Sequence, residues 1–233
     1  NQNFVLLAAD YSQIELRVIA SLSEETTMID AFKSGEDIHA STASKVFNTP
    51  IEKVSREQRL NSKTINFGIF YGVSAFGLSN QTELSRSEAK ELIEAYYKNY
   101  PKLQEFISKQ VNFARENGYV KTISERRRYL RDINSRNAVV RGAAERNAVN
   151  APIQGSAADI IKIAMIRISE KLKAGNYQTK MLLQVHDELV FDVYKPELEP
   201  IKVLIKTEME NAYEMRVPLE VEIDIGKNWL EAH

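Results

Sequence analysis

Apolar positions have strand-like spacing at the two ends of the chain and helical spacing between them. Residues 4–9 form a short apolar run, and residues 181–185 and 189–193 form two more that are rich in Val, Leu and Phe. Residues 219–225 alternate apolar with acidic positions, which is typical of a half-buried strand. The pattern therefore predicts one sheet that draws its strands from both ends of the chain.

The long middle region has apolar residues at helical spacing, with capping signals at several helix starts. Ser12 with Glu15, and Ser85 with Glu88, each fit a capping box. The predicted helical segments are residues 12–22, 28–32, 39–46, 56–71, 85–117 with a kink or a split at Pro101, 136–149, 156–174 and 197–213. Pro152 and Gly155 lie in a segment, residues 150–159, that we expect to interrupt the helix.

The composition excludes several classes of protein but does not identify one. The 233 residues are 43% hydrophobic and 27% charged. These values are typical of a globular domain or two. The chain has no cysteine, which excludes disulfides and thiolate metal sites. No apolar run approaches the ~20 residues that span a bilayer. Because the chain starts on Asn and enters a strand at once, we expect it to be a fragment of a longer protein.

The net charge of −1 hides two regions of opposite sign. Residues 121–146 contain eight Lys or Arg and three acids, whereas residues 187–224 contain eleven acids and four bases. A local basic surface can bind phosphate even on a neutral molecule. The alternative is a solvated helix face that binds nothing.

Carboxylates stand at the ends of two predicted strands. Asp10 ends the first apolar run. His186, Asp187 and Glu188 join two strands, where a tight hairpin would favour glycine. Two strand ends that each present an aspartate could share a pair of divalent ions, the arrangement used in phosphoryl transfer. The alternatives are that Asp10 caps a helix and that Glu15 only completes its capping box.

A helical stripe combines two cations with two aromatic rings. Positions four apart drift only about 40° around a helix, so Arg59, Lys63, Phe67 and Tyr71 share one face. Cations suit a triphosphate and aromatic faces suit a nucleobase. The alternative is a stripe that faces the core, in which the two cations are incidental. Trp229 is expected in the core.

Three long segments together resemble the family A DNA polymerases, in the order in which that family carries them. They are DYSQIELR at residues 10–17, RLNSKTINFGIFYG at residues 59–72 and VHDE at residues 185–188. The segment AERNAVNAPIQGSAAD at residues 144–159 is also similar. The resemblance covers essentially the whole chain and implies a DNA-templated DNA polymerase that acts in replication and repair.

The resemblance also implies a role for individual residues. The implied catalytic residues are Asp10, Asp187, Glu188 and Lys63, and the implied metal ligands, for two Mg²⁺ ions, are Asp10, Asp187 and the Tyr11 carbonyl. The implied nucleotide-binding residues are Arg59, Lys63, Phe67, Tyr71, His39, Glu15 and Gln13. The implied DNA-binding residues are Arg146, Asn150, Gln154, Gln184, His186, Arg127 and Arg128. Glu15 would exclude a ribose 2′-hydroxyl, and Phe67 would confer discrimination against dideoxynucleotides.

The implied fold is α+β, with an antiparallel palm sheet and its flanking helices plus an inserted all-helical fingers subdomain. The palm would be residues 1–15 and 150–233, and the fingers residues 16–149. We expect the thumb and any nuclease domain upstream of these residues. One departure concerns Glu125, which stands before RRRY where the family usually has glycine.

Three functional hypotheses follow. The leading one is a bacterial, cytoplasmic, nucleoid-associated monomer that binds DNA primer–template and deoxynucleoside triphosphates and has no membrane partner. A single-subunit RNA polymerase is the alternative among enzymes, and Glu15 as a sugar gate argues against it. The third is a palm-and-fingers fragment that folds and binds nucleotide without extending a primer.

Overall fold

The computed structural model describes residues 3–232, apart from the side chain of Phe70. In chain order its elements are β1 (Phe4–Tyr11), α1 (Ile14–Ser23), α2 (Thr26–Lys33), α3 (Ile38–Val46), α4 (Arg56–Phe70), α5 (Ala75–Ser79), α6 (Arg86–Asn99) and α7 (Pro101–Asn117). They continue with β2 (Tyr119–Lys121), β3 (Arg127–Tyr129), α8 (Ala138–Ala174), β4 (Lys180–Val185), β5 (Glu188–Tyr194), α9 (Leu198–Glu210) and β6 (Val221–Gly226). Among the described residues, no helix combines the length and apolar character needed to cross a membrane.

The larger sheet draws its strands from both ends of the chain, as the apolar pattern predicts. Its order is β4-β5-β1-β6, and every neighbouring pair is antiparallel. Helix α9 packs against β1, β5 and β6. The Tyr11 hydroxyl donates to the Met209 carbonyl of α9 at 2.7 Å, so the first strand is tied to this helix through a buried side chain.

The chain divides into two compact units. One contains the residues up to Ile14 together with those from Ala157 onward, and it holds the four-stranded sheet and α9. The other, from Glu15 to Ser156, contains α1 to α7, the short hairpin formed by β2 and β3, and the first half of α8.

The inserted unit is not all-helical, because it contains the β2–β3 hairpin. Tyr119 pairs with Tyr129 and Lys121 with Arg127 in this antiparallel ribbon. Apolar residues anchor it in a cluster with α7 and α8, whose members include Val120, Leu130, Ala114 and Ala144. Each strand of the hairpin is only three residues long, and its charged sequence lacks the alternation by which strands are predicted.

Helix α8 continues through the segment where the sequence predicts a break. Pro152 lies inside this 37-residue helix. An interior proline costs a helix ~3 kcal/mol. Ser156, one turn after Pro152, ties the helix to the loop after β2: its buried hydroxyl donates to the Pro152 carbonyl and accepts from the Ile123 backbone N–H at 2.8 Å. A tertiary contact with the loop after β2 thus helps to hold the helix where local propensity opposes it.

Helix α1 begins one residue later than its capping pattern predicts, because a box with Ser12 as the N-cap makes Gln13 the first helical residue. Its first residue is Ile14, and Gln13 adopts a left-handed φ of 54°, so the helix cannot start at Gln13. The capping box at Ser85 and Glu88 is confirmed, because both of its reciprocal hydrogen bonds form. Of the two outcomes predicted at Pro101, the split is confirmed: α6 ends before Pro101 and α7 begins on it.

Candidate active site

The two predicted aspartates, Asp10 and Asp187, lie close together at the ends of two neighbouring strands, β1 and β5. Asp10 lies near the end of β1 and pairs across the sheet with Glu188, the first residue of β5. Asp187 directly precedes β5, and its carbonyl accepts from the Tyr11 backbone N–H at 3.3 Å. The sheet register therefore places both carboxylate-bearing residues at the same rim.

The turn that carries Asp187 is conformationally unusual. Val185 pairs with Glu188, which leaves His186 and Asp187 as a two-residue hairpin turn without glycine. His186 adopts a left-handed φ of 53°. This region costs a side-chain-bearing residue ~1–2 kcal/mol. Gln184 donates its amide N–H to the His186 carbonyl at 3.0 Å and supports the turn. Strain of this kind is common where a loop must present functional groups.

The register also identifies an acid that the sequence analysis did not select. Glu222 of β6 pairs with Asp10 from the other side, so Glu188, Asp10 and Glu222 occupy one row on the same sheet face. Like charges directly opposite one another destabilise a sheet unless cations are present. The acidic alternation of residues 219–225 was visible in the sequence, but its register against β1 was not.

Glu188 is held by a partner that was expected in the core. Trp229 is 46% exposed, so its predicted burial is wrong, and its indole N–H donates to a Glu188 carboxylate oxygen at 2.9 Å. Glu188 itself is buried. The indole therefore fixes the orientation of this carboxylate next to the aspartate rim.

The rim offers ligands that suit a hard divalent cation. Asp10 and Asp187 contribute carboxylates and the Tyr11 backbone a carbonyl, whereas the Tyr11 ring is buried under α9. Among the described residues no group of three or more His, Cys, Asp or Glu is arranged to hold a metal. Mg²⁺ in phosphate-handling sites commonly takes one or two carboxylates plus substrate phosphates, so the donor chemistry fits.

Helix α4 presents the predicted stripe along a groove. Ser55 and Gln58 form a complete capping box at its start. A groove of about 540 Å³ is lined by Leu60, Lys63, Thr64, Phe67, Gly68, Tyr71, Val73 and Gln81. Three of the four stripe residues thus share one concave surface with apolar walls.

Arg59, the fourth residue of the stripe, is engaged with α3. Its Nε lies 2.6 Å from a carboxylate oxygen of Asp37, which also caps α3 by accepting from the backbone N–H groups of His39 and Ala40. Burial alone would raise the pKa of Asp37, but the Arg59 hydrogen bond and the two backbone donors outweigh it and lower that pKa. This ion pair joins residues 22 positions apart, and no sequence pattern predicted it.

His39 is buried beside the stripe. Its ring centroid lies 5.9 Å from that of Phe67, and Asn66 contacts its Nδ1 at 3.0 Å. Burial lowers the pKa of His39 to about 4, helped by the positive charges of Arg59 and Lys63 and opposed by Asp37. The imidazole is therefore neutral at physiological pH.

Tyr71, at the end of α4, joins two other predicted residues. Its hydroxyl donates to a Glu15 carboxylate oxygen at 3.0 Å and accepts from the Gln154 side-chain amide at 3.3 Å. Burial raises the pKa of the Tyr71 hydroxyl, and the Glu15 charge adds to that effect, whereas the Gln154 hydrogen bond opposes it. The structure therefore brings Glu15, Tyr71 and Gln154 into one hydrogen-bond chain.

A polar pocket of about 320 Å³ adjoins the β2–β3 hairpin. Its lining is Thr122, Arg126, Arg127, Arg128, Asn147, Asn150, Ala151, Gln154 and Gly155. The Arg127 guanidinium also lies over the Tyr119 ring, 4.6 Å from its centroid. In the described part of the chain, the buried Asn150 Oδ1 has no hydrogen-bond partner. Buried polar atoms nearly always have such a partner in folded proteins.

Arg146 lies one helical turn before Asn150, and its aliphatic stem packs on Gly72. A Cβ added to Gly72 would lie 2.9 Å from Arg146 Cγ.

Glu125, at the tip of the hairpin, adopts a left-handed φ of 64° and pairs with Lys121. The turn before RRRY thus forms with Glu125 in the conformation that glycine adopts most easily.

The family model and two similar curated relatives all carry the name of DNA polymerases. The sequence matches the family described as DNA polymerase family A over residues 1–231. It is 50% identical over 227 residues to DNA polymerase I of Caldicellulosiruptor bescii, covering 97% of this chain and 27% of that protein. It is 52% identical over 232 residues to DNA polymerase I of Streptococcus pneumoniae, covering 99% of this chain and 26% of that protein.

A solved structure is similar over the whole chain. It is the POL domain of Pol1 from M. smegmatis in complex with DNA primer-template and dNTP, with a TM-score of 0.95 and 44% identity, covering 100% of this chain and 41% of that one. The chain thus spans about a quarter of the length of the curated relatives it matches. The expected α+β fold with an antiparallel sheet is confirmed. The chain belongs to the family A DNA polymerases.

Proposed function

We propose that this chain is the palm and fingers of a DNA-templated DNA polymerase, which extends a primer 3′ end with deoxynucleotides. The observation that carries the proposal is the match of this whole chain, at a TM-score of 0.95, to part of a polymerase domain bound to primer–template and dNTP. The relatives named DNA polymerase I support it at about half identity over nearly the whole chain. We assign a monomeric, nucleoid-associated state to the same proposal.

The palm is proposed to be residues 1–15 and 150–233, and the fingers residues 16–149. The division of the chain into compact units changes over at 14/15 and at 156/157, close to both proposed boundaries. Helix α8 runs through the second boundary, which explains why a boundary drawn at a presumed helix break falls earlier in the chain.

Family A DNA polymerases use divalent metal ions, and we assign two Mg²⁺ to the aspartate rim. Asp10, Asp187 and the Tyr11 carbonyl would hold them. When bound, a metal pair stabilises the attacking and leaving oxygens of a phosphoryl transfer. Glu188, whose carboxylate accepts from the Trp229 indole, is assigned to a position beside the metals and the primer end.

The incoming nucleotide is assigned to the α4 face. Arg59 and Lys63 supply charge for the triphosphate, His39 a neutral hydrogen-bond donor and Phe67 a ring for the sugar and base. Tyr71 holds Glu15 at 3.0 Å, which supports Glu15 as the group that excludes a ribose 2′-hydroxyl. Gln13, held in a left-handed backbone conformation before α1, is assigned to the same nucleotide.

Primer–template is assigned to the polar residues of α8 and two flanking loops. Arg146, Asn150 and Gln154 lie at successive four-residue intervals of α8, so they share one face of the helix. Arg127 and Arg128 border the pocket that Asn150 and Gln154 line, and they suit a phosphate backbone. Gln184 and His186 are assigned to the primer end through the turn that carries Asp187.

Primer extension tests the proposal. Wild-type chain, Asp10→Asn and Asp224→Asn are compared on a DNA primer–template with Mg²⁺ and four deoxynucleotides. Asp224 is an exposed acid on the same sheet face, so its variant controls for the loss of one negative charge. We expect Asp10→Asn to abolish extension and Asp224→Asn to retain it, whereas extension by Asp10→Asn would contradict the metal assignment.

A second candidate function is nucleotide binding without extension, since the chain spans about a quarter of the length of its relatives. Equilibrium binding of a deoxynucleoside triphosphate, with Lys63→Ala as the variant expected to lose it, distinguishes this function from polymerisation. Replacing deoxynucleotides by ribonucleotides in the extension assay tests the RNA polymerase alternative.

A further inference from the structure

A buried polar network lies behind the nucleotide-facing side of α4. It consists of His39 and Thr42 of α3, Asn66 of α4 and Tyr100 between α6 and α7, each at most 4% exposed. Asn66 is on the same helix as Lys63 but points into the packed side. Buried polar groups are costly unless hydrogen-bonded, so the pattern of their bonds is informative.

The hydrogen bonds of this network converge on the Thr42 hydroxyl and on the Asn66 amide. The Thr42 hydroxyl has one proton, which it donates to the Ile38 carbonyl at 2.7 Å, its shortest contact. Its oxygen then accepts from the Tyr100 hydroxyl at 3.0 Å and from Asn66 Nδ2 at 3.2 Å, while Asn66 Oδ1 lies at the same distance of 3.2 Å. The same amide nitrogen lies 3.0 Å from His39 Nδ1 and donates its other proton there.

This arrangement determines which ring nitrogen of His39 carries the proton. A neutral imidazole has one N–H donor and one acceptor nitrogen, and Nδ1 is the acceptor here because Asn66 donates to it. Nε2 therefore carries the proton. The charged groups that act on the ring are Asp37, Arg59 and Lys63, and burial with the two cations holds its pKa at about 4.

The tautomer decides whether the contact between His39 and an anion is attractive or repulsive. Nε2–H donates a hydrogen bond to a phosphate oxygen, whereas the opposite tautomer would present a lone pair to it. We propose that Asn66 is a positioning residue that holds His39 in the neutral Nε2–H tautomer, so that His39 donates to a phosphate oxygen of the incoming nucleotide. This inference rests on the proposed function only for the identity of the anion.

The tautomer can be read directly by ¹⁵N NMR of the histidine-labelled chain, because the sequence has only three histidines. His39→Gln identifies the His39 signals by subtraction. We expect a pyrrole-type shift at Nε2 and an imine-type shift at Nδ1, persisting at neutral pH. A protonated Nδ1 in the wild-type chain would overturn the inference, whatever the polymerase activity.

Asn66→Asp tests the role of the amide donor. A carboxylate can only accept, so we expect the proton to move to Nδ1, which exchanges the two signals: Nδ1 becomes pyrrole-type and Nε2 becomes imine-type. Ser62→Ala is the matched control, since Ser62 is a fully buried polar residue of the same helix outside the network. The control should leave the His39 signals unchanged, and an Asn66→Asp chain with the wild-type tautomer would contradict the proposal.

Steady-state kinetics of primer extension show whether Asn66 acts through His39. A hydrogen bond to a charged phosphate predicts a rise in KM for deoxynucleotides of about 10-fold in Asn66→Asp. In a His39→Ala background the same substitution should change KM no further. An equal rise in both backgrounds would mean a purely structural role and would overturn the inference, even with the proposed function intact.

Discussion

Gly72 offers a sharp test of how the end of α4 is packed. It adopts a left-handed φ of +66°, and an added Cβ would lie 2.9 Å from Arg146 Cγ and 3.3 Å from Cδ. Gly35 has a similar φ of +71° with no atom within 4 Å of its added Cβ. Gly72→Ala and Gly35→Ala therefore share the backbone cost and differ in the steric one.

The two costs can be estimated separately. A left-handed conformation costs a side-chain-bearing residue ~1–2 kcal/mol, and this cost falls on both variants. Moving the Arg146 stem off its preferred rotamer adds ~0.5–1.5 kcal/mol in Gly72→Ala alone. We expect Gly72→Ala to lower the free energy of unfolding by about 1 kcal/mol more than Gly35→Ala.

Urea denaturation measures these free energies, and primer–template affinity measures the displacement of Arg146. Gly72→Ala should weaken DNA binding, whereas Gly35→Ala should not. In an Arg146→Ala background the extra cost of Gly72→Ala should vanish, because the clashing atoms are gone. Equal costs for the two alanine variants, or an extra cost that survives Arg146→Ala, would refute this account.

Three further predictions concern single residues. Glu125 has a φ of 64° and an exposed ion pair with Lys121. Glycine removes the cost of the left-handed conformation, and this gain is larger than the loss of the exposed ion pair, so Glu125→Gly should stabilise the chain against urea by about 0.5 kcal/mol. Glu125→Ala keeps the conformational cost and loses the ion pair, so it should destabilise the chain. Phe67→Tyr should incorporate dideoxynucleotides far better in a primer-extension competition, and unchanged discrimination would contradict the placement of Phe67. The pKa of His39 is lowered from 6.5 to about 4, so the unfolded chain protonates this residue before the folded chain does. Stability should therefore fall as the pH is lowered through that window, by at most ~1.4 kcal/mol per pH unit. His39→Gln should remove this part of the slope in denaturation curves.

The sequence was most informative where one local signal determined the outcome. The apolar runs placed β1 and β5, and helical spacing alone put Lys63, Phe67 and Tyr71 on one face of α4. The missing glycine marked the Asp187 turn as unusual, and the structure has a left-handed φ there at His186. These features depend on residues that are close in the chain.

The remaining features depend on contacts between distant residues. Helix α8 passes Pro152 with the support of Ser156, which binds a loop 33 residues away. The Arg59–Asp37 pair and the row that places Glu222 beside Asp10 require the fold and its register. Such pairings produce no periodic pattern in the sequence, because the two partners need not be a fixed number of residues apart.

The polar residues on the buried side of α4 are better explained by orientation than by stability. A hydrogen bond between buried neutral groups contributes only ~1 kcal/mol net, and replacing both partners by apolar groups of the same shape can be nearly neutral. Asn66 and Thr42 could therefore be apolar at little cost to folding only if their buried partners, the Tyr100 hydroxyl and His39 Nδ1, were replaced or satisfied as well. What an apolar pair could not do is choose which nitrogen of His39 carries a proton, and that choice determines whether the imidazole attracts or repels a phosphate beside Arg59 and Lys63.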